Sequence, residues 1–96
     1  MSLQEISRHK IYWEGKTFYH SGFLCGYLGY SPYEFKYPEH YLDIKDNRTG
    51  KSAEYIEKEE VKKCIFNLSK GYSTHKITEE QMEYYSKLFE FLEKDN

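Results

Sequence analysis

The residues best suited to covalent chemistry are two cysteines and four histidines. Cys25 lies between His20 and His40 in the chain, and a thiol beside a histidine base can act as a nucleophile. Asp43 is the candidate residue to orient such a base. No signature of a cysteine-enzyme family surrounds Cys25, and free cysteine is commonly a small buried residue. We therefore predict a structural thiol and a protein that is not an enzyme.

The spacing of the histidines does not indicate a metal or cofactor site. No two of them lie three or four residues apart, and none belongs to a Cys/His metal pattern. The glycine-containing stretch "GYLGY" lacks the spacing of a phosphate-binding loop. Six of the 16 acidic residues stand in the first turns of predicted helices, where the helix dipole explains them: Glu57, Glu59, Glu60, Glu79, Glu80 and Glu83. We expect no metal and no cofactor.

Aromatic residues are the unusual feature of the composition, at 19% of the chain with 11 tyrosines. In "PYEFKYPEHY" three rings alternate with charged residues, so in an extended chain they share one side. Tyrosine is common at binding surfaces because it offers large contact area at low entropy cost. We predict a protein-binding surface formed by Tyr30, Tyr33, Phe35, Lys36, Tyr37, Glu39 and Tyr41. The alternative is that these rings fold back and seal the edge of a sheet.

A second hypothesis is nucleic-acid binding. Tyrosine stacking combined with lysine is a common way to hold single strands. The basic residues would be Arg48 and Lys51 at a predicted turn, and Lys62 and Lys63 on a predicted helix. The net charge of −2 argues against a strongly electrostatic binder, so this hypothesis ranks second.

Length and composition predict a single domain spanning residues 1–96, without a signal peptide or a membrane-spanning segment. Two cysteines do not form a disulfide framework, so we expect a cytoplasmic protein with reduced thiols. Small size and the absence of catalytic motifs suggest a phage or mobile-element protein that inhibits a host protein in the host cytoplasm. An uncapped sheet edge would also allow a homodimer.

The first half of the chain, about residues 10–56, has the pattern of strands. The turn Glu14-Gly15 separates predicted strands at 10–14 and 16–20. A third extended run with a glycine bend is predicted at "GFLCGYLGY". Alternation in "HYLDIKD" predicts a half-buried strand, and "SAEYI" is its expected partner across the turn "DNRTGK". A helix that starts at Ser52 is the competing interpretation of that last segment.

The second half, residues 57–96, has helical periodicity. One apolar stripe contains Val61, Cys64, Ile65 and Leu68, and Gly71 is a candidate C-cap. Thr78 and Gln81 have the spacing of a capping box at the start of a second helix that runs to about Glu93. The predicted fold is therefore α+β: a four- to five-stranded antiparallel sheet or SH3-like barrel followed by a C-terminal helical hairpin.

Overall fold

The computed structural model describes residues 2–31, 35, 39–69 and 78–95. The elements are α1 (Leu3–Arg8), β1 (Ile11–Trp13), β2 (Lys16–His20), α2 (Ser21–Leu28), β3 (Tyr41–Lys45), β4 (Ser52–Glu57), α3 (Lys58–Ser69) and α4 (Glu79–Lys94). The four strands form one antiparallel sheet that curls into a half-barrel, and helices pack against it. The predicted α+β class is confirmed.

The strand order is β1-β2-β4-β3, so β1 and β3 are the two edges of the sheet. Glu14 and Gly15 join β1 to β2 with φ values of 49° and 77°, the positive values that a two-residue hairpin turn of type I′ requires. β4 pairs with β2 on one side, where Ile56 lies opposite Tyr19. It pairs with β3 on the other side, where Ile56 lies opposite Tyr41.

The main core lies on one face of this sheet. Tyr19 and Ile56 project from the sheet into a buried cluster with Ile6 of α1, Leu24 of α2 and Leu88 of α4. We call this side the helix-covered face. Because side chains alternate along a strand, the opposite face carries Phe18, Tyr55, Leu42 and Ile44. Phe18 is buried there but lies outside the main cluster.

The extended run predicted at "GFLCGYLGY" is wrong, because this segment forms α2. His20 starts the helix: its Nδ1 accepts a hydrogen bond from the Gly22 amide at 3.0 Å. Gly29 ends it in the left-handed region, with φ of 83° and its amide bonded to the Cys25 carbonyl. Leu24 and Leu28 are four residues apart and both are buried, which is the helical spacing. Burial against the sheet outweighs the poor helix propensity of glycine and the aromatics.

The C-terminal helices follow the sequence pattern closely. Val61, Cys64, Ile65 and Leu68 of α3 are all buried, as are Tyr85, Leu88 and Leu92 of α4. The capping box predicted at Thr78 and Gln81 is present in both of its hydrogen bonds. The connection at 70–77, including the C-cap predicted at Gly71, lies outside the described residues.

Glu57 was predicted to lie in the first turn of the first C-terminal helix, but it is the last residue of β4. Its buried carboxylate accepts hydrogen bonds from the amides of Glu59 (2.7 Å) and Glu60 (3.2 Å). These amides belong to the first turn of α3 and have no partner within the helix, so the carboxylate caps it. The cap explains why an acidic side chain is buried at this position.

Candidate protein-binding edge of the sheet

The β3 edge of the sheet offers the longer run of exposed backbone. The Asp46 amide donates to the Lys51 carbonyl, and the Glu57 amide donates to the His40 carbonyl. Since hydrogen-bonded pairs alternate in an antiparallel ladder, residues 40, 42, 44 and 46 bond inward to β4. The amides and carbonyls of Tyr41, Asp43 and Lys45 therefore point outward. Within the described ranges no strand lies beyond them.

Two large side chains flank this backbone, one on each face. Tyr41 is 49% exposed at the margin of the helix-covered face, and Ile44 is 43% exposed on the opposite face. Leu42, beside Ile44 on the same face, is half-buried. An edge strand with exposed apolar side chains on both faces is a template for pairing with another chain. We call Tyr41–Lys45, with its outward backbone, the β3 edge.

Asp43 lies directly opposite Glu54 in the β3–β4 register. This is a non-hydrogen-bonded pair, the kind in which side chains approach most closely. Burial and the nearby Asp43 carboxylate together raise the pKa of Glu54. Two adjacent acidic groups, Asp43 on the β3 edge and Glu54 on β4, therefore lie on the helix-covered face of the sheet.

The aromatic residues predicted to form the binding surface do not all lie on the surface. Phe35 is only 3% exposed and belongs to the main core, so its ring does not form part of a binding surface. Tyr30 is half-buried against the core, edge-on to Tyr85 with ring centroids 6.4 Å apart. Of the predicted set, Glu39 and Tyr41 are exposed. Tyr33, Lys36 and Tyr37 lie outside the described residues.

The four basic residues of the nucleic-acid hypothesis occupy separate parts of the chain. Arg48 and Lys51 are exposed in the turn that precedes β4, whereas Lys62 and Lys63 belong to α3, which follows it. Lys62 also has contacts within the protein: its Nζ lies 3.9 Å from Glu59 Oε2 and 5.4 Å from the ring centroid of Phe89. Nucleic-acid binding by these residues stays a prediction.

The residues considered for nucleophilic chemistry have structural surroundings. The His20 ring caps α2 and lies edge-on to Phe23 and Tyr55. Burial, and then the neighbouring His9, lower the pKa of His20. Burial is also the main influence on Cys25: it raises the pKa of the thiol and outweighs the lowering effect of a hydrogen bond with Ser31. A raised thiol pKa reduces the fraction of reactive thiolate.

One group of side chains has ligand atoms close enough to hold a metal ion. Glu39, His40 and Glu60 each bring such an atom within 4.8 Å of the others. None of the three is buried, and Glu60 lies in the first turn of α3, where the helix dipole disfavours a cation. Exposed acidic groups commonly gather without an ion, so we assign no metal to them.

Sequence reasoning missed three exposed residues at the sheet edges. Tyr12 and Trp13 are exposed on β1, the shorter edge, and Ile44 is exposed on β3. The available signal was the position of Trp13 beside a tight turn, where helices rarely cover a strand end.

Comparisons with protein-family models, curated proteins and solved structures find no match to this chain. None of the helices in the described ranges has the length and apolar character that crossing a membrane requires.

Proposed function

We propose that this protein is a non-enzymatic binding domain that takes up an extended segment of a partner protein as a fifth strand at the β3 edge. The observation that carries the proposal is the outward backbone of Tyr41, Asp43 and Lys45, flanked by the exposed side chains of Tyr41 and Ile44. In strand addition, main-chain hydrogen bonds supply affinity and alternate side chains supply specificity.

The β3 edge fits this role better than the β1 edge does. β3 has five residues, whereas β1 has three and presents the outward backbone of Tyr12 alone within the strand. A longer edge offers more hydrogen bonds to an added strand. The exposed Tyr41 and Glu39 of the predicted binding surface lie at the start of this same edge, so part of the sequence-based hypothesis is kept.

The proposal is tested by removing one outward amide without changing the fold. Asp43→Pro deletes the N–H of residue 43, which the ladder to β4 does not use. Proline is tolerated on edge strands when its N–H side faces solvent, and it favours the extended conformation that Leu42 already has. The matched control is Asp43→Ala, which loses the same carboxylate but keeps the amide.

The assay is capture of partners from host lysate by the tagged wild type and both variants, with and without nuclease, read by mass spectrometry. We expect one protein in stoichiometric amount with wild type, weaker but detectable capture of the same protein with Asp43→Ala, and its loss with Asp43→Pro. Thermal melts of all three variants establish that the fold is intact. Equal capture by the proline and alanine variants would reject strand addition, and capture that disappears with nuclease would favour nucleic-acid binding.

The hypothesis that the chain is a phage or mobile-element inhibitor of a host protein depends on the partner that is captured. Addition of the purified protein should lower the activity of that partner in its own assay. Asp43→Pro should fail to lower it at the same concentration. Unchanged activity with saturating wild-type protein would leave a binding domain without an inhibitory role.

A further inference from the structure

The Asp43–Glu54 pair has a chemical consequence for whatever binds beside it. Like charges directly opposite each other on neighbouring strands are destabilising. Among the described residues, no ion pair or hydrogen bond neutralises either carboxylate, although the chain has 14 basic residues. Asp43 stands on the outermost strand, so the next strand outward would place a side chain immediately beside it.

We infer that the strand accepted at the β3 edge carries lysine or arginine opposite Asp43, between apolar residues that face Leu42 and Ile44. This inference rests on the proposed function, because it specifies which segment the β3 edge selects. A cation at that position contacts Asp43 directly and lies one strand away from Glu54. It therefore compensates two carboxylates that the folded chain leaves adjacent.

The neighbouring residues extend the pattern. Tyr41, Asp43 and Lys45 share one face of β3, so the added strand meets an aromatic, an acidic and a basic residue at every second position. Complementary residues are apolar opposite Tyr41, basic opposite Asp43 and acidic opposite Lys45. On the other face, Leu42 and Ile44 favour two apolar residues. Opposite residues 41 to 45 the preferred segment is thus apolar, apolar, basic, apolar and acidic.

A second copy of this chain matches the pattern less well. Antiparallel pairing of two β3 strands over all five residues would place Asp43 opposite Asp43 of the other copy. A register in which Asp43 meets Lys45 instead pairs only residues 43–45 within the two strands. A heterologous segment has neither restriction, and for that reason we favour it over self-association.

The experiment is selection from a displayed library of random ten-residue peptides against the wild-type protein, Asp43→Ala, Asp43→Pro and the charge reversal Asp43→Lys. Residue 43 is exposed, so the reversal is compatible with folding and relieves the repulsion with Glu54. We expect wild-type binders to be enriched in lysine or arginine at one position between apolar residues. Changing that residue to glutamate in a synthetic peptide should weaken binding about 3- to 10-fold, the range expected for one or two cross-strand ion pairs.

Asp43→Lys should reverse the preference, so that the glutamate peptide binds it better than the lysine peptide. One result would overturn this inference and leave the proposed function standing. In that result the selected peptides bind Asp43→Ala but not Asp43→Pro, and so need the residue 43 amide, but they show no charge preference and no reversal with Asp43→Lys. If none of the selected peptides distinguishes the proline variant from the alanine variant, both this inference and the proposed function are overturned. A wild-type dimer that dissociates on Asp43→Pro would identify a second copy as the occupant and reject the heterologous segment.

Discussion

Removal of the Asp95 carboxylate should destabilise the protein more than removal of the exposed carboxylates near the end of α4. Asp95 caps the C-terminus of α4, and its carboxylate accepts hydrogen bonds from Ser7 Oγ (2.9 Å) and Tyr19 Oη (2.8 Å). Lys10 Nζ lies 2.9 Å from the same carboxylate, and Lys58 donates to the Asp95 backbone carbonyl. Asp95 thus links the end of α4 to α1, β2 and α3, and to Lys10, the residue before β1.

The magnitude follows from what Asp95→Ala leaves behind. The side chains of Lys10 and Asp95 are each only 12% exposed, and Tyr19 is fully buried. Hydrogen bonds to charged groups contribute about 1.5–3 kcal/mol each, and breaking a fully buried ion pair costs about 3–5 kcal/mol. Water can reach part of this site, so we expect a loss of about 2–4 kcal/mol. For a domain of this size, 3 kcal/mol lowers Tm by about 12–24 °C.

The assay is thermal unfolding followed by circular dichroism at pH 7 for the wild type, Asp95→Ala and Asp95→Asn. Asparagine keeps one acceptor oxygen but loses the charge, so its Tm should lie between the other two. As a control, Glu93→Ala changes an exposed carboxylate near the end of the same helix and should leave Tm nearly unchanged. A fall in Tm of less than about 3 °C for Asp95→Ala would refute the role assigned to this contact.

The pH dependence of the Asp95 contribution has a definite sign. Burial alone would raise the pKa of Asp95, but hydrogen bonds from Lys10, Tyr19 and Ser7 outweigh it and hold the pKa below its usual range. A depressed carboxyl pKa stabilises the fold fully above the unfolded value of about 3.9, and the contribution is lost as the pH falls through the folded pKa. The stability difference between wild type and Asp95→Asn should therefore be constant near pH 7 and shrink below about pH 4. A difference that grows in acid would contradict this assignment.

Three further predictions test local features of the fold. Glu14→Asn should raise stability by about 0.5–1 kcal/mol, because asparagine tolerates the positive φ of this turn better than glutamate; a lower Tm would contradict this. Thr78→Ala should cost about 1 kcal/mol by removing the capping box of α4, measured by urea unfolding, and an unchanged midpoint would reject it. Burial raises the pKa of Cys25, so iodoacetamide should modify it more slowly at pH 7.5 in the folded than in the urea-unfolded protein; equal rates would show an accessible thiolate.

The features predicted correctly from the sequence are those that short stretches of chain determine. Glu14-Gly15 forms the turn because glycine readily adopts one of the two positive φ values that the turn requires. Thr78 caps α4 together with Gln81, three positions away. The buried stripe of α3 follows from the helical repeat alone. In each case the physical cause lies within about one helical turn or one hairpin, so no knowledge of the tertiary structure was needed.

The segment at α2 was predicted wrongly because its local preferences oppose its final structure. Gly22 and Gly26 weaken a helix, and an aromatic-rich run favours a strand. The helix forms because Leu24 and Leu28 reach the core together, and His20 supplies an uncommon cap. A Cβ at Gly22 would lie 2.8 Å from the His20 ring, so this glycine belongs to the cap and does not mark a bend. The spacing of the two leucines before Gly29 was the signal available in the sequence.

The β3 edge was beyond sequence reasoning because its exposure depends on strand order. The alternating pattern of β3 predicts which of its residues share a face. It does not indicate that β4 lies between β2 and β3 in the sheet, which places β3 at the edge. That order leaves Ile44 exposed, although its alternation with Asp43 and Lys45 indicates an inward side chain. Tyrosine content pointed to residues 30–41, yet Phe35 fills the core. The partner surface we propose is therefore defined by backbone that has no strand partner among the described residues, and by a pair of acids to which those residues supply no counter-charge. Composition cannot indicate either feature.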